Sequence, residues 1–200
     1  LNNPKYMKTT NSTLTQMARE SLEGKWGLAV LGTFVYFIVL MGVQLLAEID
    51  PLLMIVTLII SGPIALGFIT FSLNISRDND PKVENIFEGF QNFKSAVGAY
   101  LLMLLFIFLW MLLLIIPGII AAFSYSMTFY ILADDPSISP MDAIDKSKAM
   151  MKGKKWKYFL LNLRFLGWAL LCLLTFGIGF LWLIPYIQVS IAKFYDDIKE

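Results

Sequence analysis

The sequence predicts an all-α membrane protein: six transmembrane helices in three pseudo-repeated hairpins, each preceded by a cytoplasmic, interfacial amphipathic helix. Three observations carry that expectation. Hydrophobic residues fill 58% of the 200 positions and charged ones only 16%, against about 45–50% and about 25% in soluble domains, and the mean hydropathy is +0.68. The apolar residues are gathered into long runs, and a bilayer crossing needs about 20 of them. The 16 Lys and Arg residues fall in four places only, and cations near span ends stay on the cytoplasmic side.

Taken in order, the first element is a polar arm that holds Lys5, Lys8, Arg19 and Lys25. It is too polar, and the run after it too long, for a signal peptide. Met7-Lys8-Thr9 reads as a start, which would leave Leu1 to Tyr6 extraneous. Thr13 with Gln16 forms a capping box, and Leu14, Met17, Ser21 and Leu22 follow at helical spacing, predicting an amphipathic helix over 13–24. Spans are expected over 27–47 and 52–73, on either side of the acidic turn Glu48-Ile49-Asp50-Pro51.

The next polar segment holds Arg77, Lys82 and Lys94; Asp80 can cap a helix over 81–93, with Pro81 first and Val83, Ile86, Phe87, Phe90 and Phe93 on one stripe. Ala96 to Ala133 contains no charge and is far longer than one crossing. Pro117-Gly118 divides it into spans 95–115 and 117–133, Pro117 being either the turn itself or a kink inside the fourth helix. Ser139-Pro140-Met141-Asp142 starts a third amphipathic helix over 140–152. Lys146, Lys148, Lys152, Lys154, Lys155, Lys157 and Arg164 cluster here, before and inside the run Tyr158 to Ala192. That run turns at Thr175 to Gly179, giving spans 157–175 and 178–195, and Lys193 and Lys199 follow. No cation lies near the three turns, so an even number of spans separates the four basic segments. Six helices with both termini cytoplasmic satisfy this.

Gly24-Lys25-Trp26 closes the first amphipathic segment and Gly153-Lys154-Lys155-Trp156 the third, and the second span of each hairpin carries a proline: Pro63, Pro117 or Pro185. The same order of elements three times reads as a degenerate internal triplication. The amphipathic segments are expected at the inner interface with apolar sides toward lipid, anchored by Trp26, Trp156 and Tyr158. The other reading is solvated loops holding short helices.

The run Leu112 to Ile120 with its Pro117-Gly118, then Leu132-Ala133-Asp134-Asp135, Met141-Asp142-Ala143-Ile144, Ser147 and Gly153-Lys154, resembles a group of bacterial multi-pass membrane proteins of unknown function. Ser61-Gly62-Pro63 and Ile86-Phe87-Glu88-Gly89-Phe90 fit the same pattern. The group is common in Gram-positive bacteria and is similar to the membrane domain that precedes some glycerophosphodiester phosphodiesterases. The resemblance implies a six-helix fold in a bacterial plasma membrane. It supplies no catalytic residues, and the soluble phosphodiesterase domain has no counterpart here.

Histidine is absent and Cys172 is the one cysteine, so the commonest general base and the metal-ligand spacings are missing. With 16 basic against 15 acidic residues there is no global field for nucleic acid. Asp134-Asp135 lacks a catalytic carboxylate partner, and Gly177-Ile178-Gly179 lacks the strand–turn–helix setting of a phosphate loop. No catalytic residue, metal or cofactor is expected.

Arg164 is the one charge well inside an expected span, a position that costs at least about 2.5–3.5 kcal/mol at the bilayer centre. It either snorkels to the boundary with Trp168 as a cation–π face, or contacts an anionic headgroup or substrate. Lys152, Lys154, Lys155 and Lys157 should attract anionic lipid. Gln44 suits an interhelical hydrogen bond. Ser124 and Thr128 share a face, while Gly118, Ala122 and Ser126 keep small-residue spacing. Packing explains both; the alternative is a cavity between the repeats, lined also by Pro63, Pro117, Pro185 and Gln44, where the prolines free carbonyls at Ile59, Leu113 and Leu181.

The expected function is non-catalytic: binding, handling or protecting against amphipathic lipids or peptides, with anionic headgroups as partners on the cytoplasmic side. A small transporter or channel between the repeats is one alternative, and a scaffold that binds a partner through its cytoplasmic face is another. A lipid-modifying enzyme fits poorly, because Arg164 alone is a weak acid–base group.

Overall fold

A bilayer offers no water to backbone N–H and C=O groups, so an apolar run that enters it must bond them within its own segment. Helix is what these runs form. The computed structural model describes residues 9–49 and 53–199. In chain order it contains α1 (Asn11–Leu22), α2 (Trp26–Ile49), α3 (Leu53–Arg77), a 310 helix (Val83–Phe90), α4 (Phe93–Leu113) and α5 (Ile115–Tyr125). These are followed by α6 (Thr128–Asp134), α7 (Pro140–Met151), α8 (Lys155–Leu163), α9 (Leu166–Leu174) and α10 (Phe180–Lys199). No strand occurs among the described residues.

Among the described residues, five stretches are long and apolar enough to cross a membrane: Trp26–Leu45, Leu53–Arg77, Phe93–Leu112, Ile115–Asp134 and Lys155–Leu174. The last two are each two helices end to end, broken at Ser126–Met127 and at Arg164–Phe165. α10 falls outside that set because Lys193, Asp196, Asp197 and Lys199 load its second half.

The turns refine the expected boundaries. Glu48 and Ile49 still belong to α2, and the rest of the acidic turn, like Leu1 to Tyr6, lies outside the described residues. The next hairpin turns at Leu114, extended at φ −164°, ψ 146°. Pro117 is therefore neither turn nor kink. It occupies the first turn of α5, where a missing N–H costs no helical bond, so it frees no carbonyl, unlike Pro63 and Pro185 inside their helices. The third hairpin turns at Thr175 to Gly179 as expected, with Phe176 at φ 51° and Gly177 at φ 87°.

The polar segments differ more. Thr10, not Thr13, caps α1: its hydroxyl oxygen accepts from the Thr13 amide at 3.2 Å. Ser139 caps α7 as expected, accepting from the Asp142 amide at 3.2 Å, with Pro140 in the first turn. The second segment is a 310 helix capped at Lys82, with Asp80 ahead of it at φ 42°. It doubles back along α3 to Pro63, about 21 Å of helix away from Arg77. Two glycines permit this: a Cβ on Gly67 would sit 1.8 Å from the Ile86 carbonyl oxygen, and one on Gly89 1.9 Å from that of Pro63.

The apolar sides of these segments face protein rather than lipid. Leu14, Ala18 and Leu22 of α1, Ile86, and Ala143, Ile144 and Met151 of α7 are all buried. Only Phe87, Phe90 and Phe93 of the expected stripe stay substantially open. α1 and α7 also end alike. Each has 12 residues and an extended C-cap (Glu23 φ −59°, ψ 130°; Lys152 φ −63°, ψ 120°), and left-handed Gly24 (φ 75°) or Gly153 (φ 78°) follows.

The tightest packing joins α1, the second half of α3, α6, α7 and the second half of α10. There the basic segments meet. Lys25 pairs with Asp78, Asn11 Nδ2 donates to the Lys157 carbonyl at 3.0 Å, and Thr9 Oγ1 donates to Asp197 at 2.5 Å. Arg77 reaches both Asp134 (2.5 Å) and Asp196 (2.6 Å).

Candidate functional site

The break between α5 and α6 is held by one side chain from α7. The Met127 amide donates to Ser147 Oγ at 3.2 Å, and that hydroxyl donates to the Ser124 carbonyl at 2.7 Å. Ser147 is fully buried and so fixes α7 along α5. Next to Ser147, α7 presents Lys148, and Lys152 just past the end of α7 stands with Lys155 of α8, at one end of an open groove of about 420 Å³.

The rest of the groove is apolar: Trp110 from α4, and Pro117, Ile120 and Ala121 from α5, with Tyr125 closing it. Ser124 lines it too, but its hydroxyl donates to the Ile120 carbonyl of its own helix at 2.7 Å. Lys148 is steadied on three sides. Its Nζ bonds Asp145 at 2.8 Å and lies 5.6 Å from the Tyr125 ring centre and 5.7 Å from that of Phe106. No ion pair involves Lys152 or Lys155 among the described residues. A cationic end over an apolar trough can hold an anionic head and a hydrocarbon tail.

The four-lysine cluster is thus divided by Gly153. Lys152 and Lys155 face the groove, whereas Lys154 donates to the Ile198 carbonyl at 3.4 Å and Lys157 pairs with Asp197 at 3.3 Å, both satisfying the end of α10. Lys148, which the sequence reading passed over as a site residue, replaces them. Its signal was available, since it lies four residues before Lys152 within the helix expected over 140–152.

The residues expected to line one cavity do not share one. Ser124 and Pro117 line the lysine groove. Gln44 lies in a separate depression between α2 and α3 with Thr57 and Ser61, where Thr57 Oγ1 donates across to the Val43 carbonyl at 3.3 Å. Pro63 and Pro185 are packed inside the protein, as is Thr128, whose hydroxyl has no partner among the described residues. Arg164 is exposed at the break between α8 and α9. Trp168 lines a different groove of about 520 Å³ with Arg19, Trp26, Trp182 and Tyr186. The cation–π contacts among the described residues involve Arg77, Lys148, Lys157 and Lys199, not Arg164.

A second polar centre was not expected. Arg77, the last residue of α3, grips Asp134 at the end of α6 with two bonds (2.5 and 3.1 Å) and Asp196 of α10 at 2.6 Å. Asp134 also accepts from Tyr195 (2.9 Å) and Lys199 (2.5 Å). These bonds clasp three helix ends. Beyond the apolar stretches, the Lys25 ammonium holds the Asp78 carboxyl below its ordinary range.

No curated protein and no solved structure matches this chain. A family described as "Protein of unknown function (DUF975)" matches residues 7–120 and 111–200. That span takes in nearly every residue discussed above, and the chain belongs to that family.

Proposed function

We propose that this chain is an integral membrane protein that binds and handles anionic amphiphiles, which enter sideways from the bilayer with the head at the lysines and the tail along Trp110 and Ile120. One observation carries the reading: Lys148, Lys152 and Lys155 stand together at one end of an open groove whose other walls are apolar. Each cation near a membrane surface is worth about 1 kcal/mol toward an anionic lipid, and each methylene taken from water about 0.8 kcal/mol. The reading is one of binding rather than catalysis. The groove offers cations and hydrocarbon, and its nearest carboxylate, Asp145, is bonded to Lys148.

In this reading six spans cross a bacterial plasma membrane with both ends inside. Contacts among Lys25, Arg77, Lys157, Lys199 and their acids support a single polar side, because segments that touch need an even number of crossings between them. The sixth span is the apolar first half of α10. The matched lengths, caps and left-handed glycines of α1 and α7 support an internal repeat, of which the 310 segment is the divergent copy.

The test is native mass spectrometry of the full chain released from host membranes in mild detergent. Anionic lipids should stay bound to the unaltered chain, and a K148Q/K152Q/K155Q variant that melts at the same temperature should lose them by about a hundredfold, the effect of three surface charges. Equal retention of neutral and anionic lipids by both proteins would overturn the proposal.

A further inference from the structure

We infer that the groove selects amphiphiles that end in a phosphate monoester. This rests on the amphiphile reading above and narrows its headgroup.

The argument is a charge count. Lys148 is shared with Asp145 at 2.8 Å. Lys152 and Lys155 make no ion pair among the described residues, and Lys154 and Lys157 are turned to the end of α10. The titratable groups that face the groove are therefore Asp145 and Lys148 from α7, Lys152 just past its end, Lys155 from α8 and the Tyr125 phenol from α5. α4 contributes rings alone, Trp110 and Phe106. Three cations and one carboxylate leave two positive charges uncompensated.

A phosphate diester carries one negative charge. A monoester carries nearly two above its second pKa of about 6, on three terminal oxygens that can accept from several ammonium groups at once. Of the two, the monoester alone balances the two charges, and its third terminal oxygen leaves an acceptor for Lys148 besides those for Lys152 and Lys155. The trough below is mainly apolar and the Ser124 hydroxyl is bonded within α5, so the polar part of the ligand is expected to end at the head. A glycerol-based phosphatidic acid and a polyisoprenyl phosphate share this chemistry.

The test uses the full chain in nanodiscs of neutral lipid, with Trp110 retained and the other four tryptophans replaced by Phe, and reads quenching of Trp110 by lipids with brominated chains. At pH 8, brominated phosphatidic acid should quench at about fivefold lower mole fraction than brominated phosphatidylglycerol, the ratio produced by one further charge near a surface. The advantage should vanish at pH 5, where the monoester has lost its second charge, and in K152Q/K155Q. If the tryptophan replacements fail to fold, the melting temperature of the unaltered chain with each lipid supplies the same comparison. Competition by unbrominated phosphatidic acid or polyprenyl phosphate supports the monoester, and the stronger competitor names the tail.

Equal quenching by monoester and diester, both above neutral lipid, would overturn this inference and leave the amphiphile reading standing. Absence of any headgroup preference would overturn both. Displacement by millimolar inorganic phosphate would place a free phosphate, not a lipid, at the lysines.

Discussion

α6 and α9 are both short and apolar, yet they live in opposite surroundings. In α6, Thr128, Phe129, Tyr130, Ile131 and Leu132 are all buried, whereas in α9 only Cys172 is, and Leu171, Leu173 and Leu174 are 54%, 62% and 78% exposed. Both sequences are hydrophobic, but protein covers α6 and leaves α9 open. What makes this fold unique is therefore concentrated where α3, α6, α7 and α10 interlock. The outer hairpin tips need only be greasy and helical.

The sharpest way to break that contrast is Gly67→Ala, whose Cβ would collide with the Ile86 backbone at 1.8 Å. We expect no folded protein, or a loss above about 4 kcal/mol, measured by unfolding in mixed micelles. Gly42→Ala, with nothing within 4 Å, should melt like the parent, and similar curves for the two variants would end the distinction. Leu66→Ala, at a site only 2% exposed, should cost about 2–5 kcal/mol in the same assay.

For the clasp, a double-mutant cycle of Arg77→Met and Asp134→Asn is expected to show a coupling of about 1–3 kcal/mol, because the guanidinium and carboxylate are only 26% and 15% exposed. Additive single losses would make the clasp ornamental. Leu174→Ala should change stability least, by about 0.5 kcal/mol or less. A cost matching that of Leu66→Ala would mean that α9 packs against protein after all.

Much of this arrangement was legible in the chain. The apolar runs, the hairpin turn at Gly177 and the Ser139-Pro140 helix start come from local rules, since hydropathy, turn chemistry and capping act over a few residues. The lysine cluster was found but could not be apportioned, because the left-handed Gly153 resets the helical phase between Lys152 and Lys155. The Arg77–Asp134–Asp196 clasp was missed for a different reason: three charges at three helix ends carry no periodicity, and only tertiary packing makes them neighbours. The prolines were legible as helix residues but not as a common lining, since a bend says nothing about which side it faces. Pattern reading also could not separate lipid-facing from protein-facing apolar surface, and so it assigned the sides of α1 and α7 to the bilayer.

The separation of the clasped residues along the chain has a consequence for how the molecule is made. Ile86 meets Gly67 within a stretch of 19 positions, but Arg77 waits for Asp196, which lies 119 positions later. Synthesis in order therefore completes the back-folded hairpin long before the guanidinium finds its second carboxylate, and the price of closing so large a loop falls on the last helix to arrive. Until then the nascent chain carries an incompletely neutralised cation at its polar rim, so docking of α10 is the step that distinguishes a finished molecule from an arrested one.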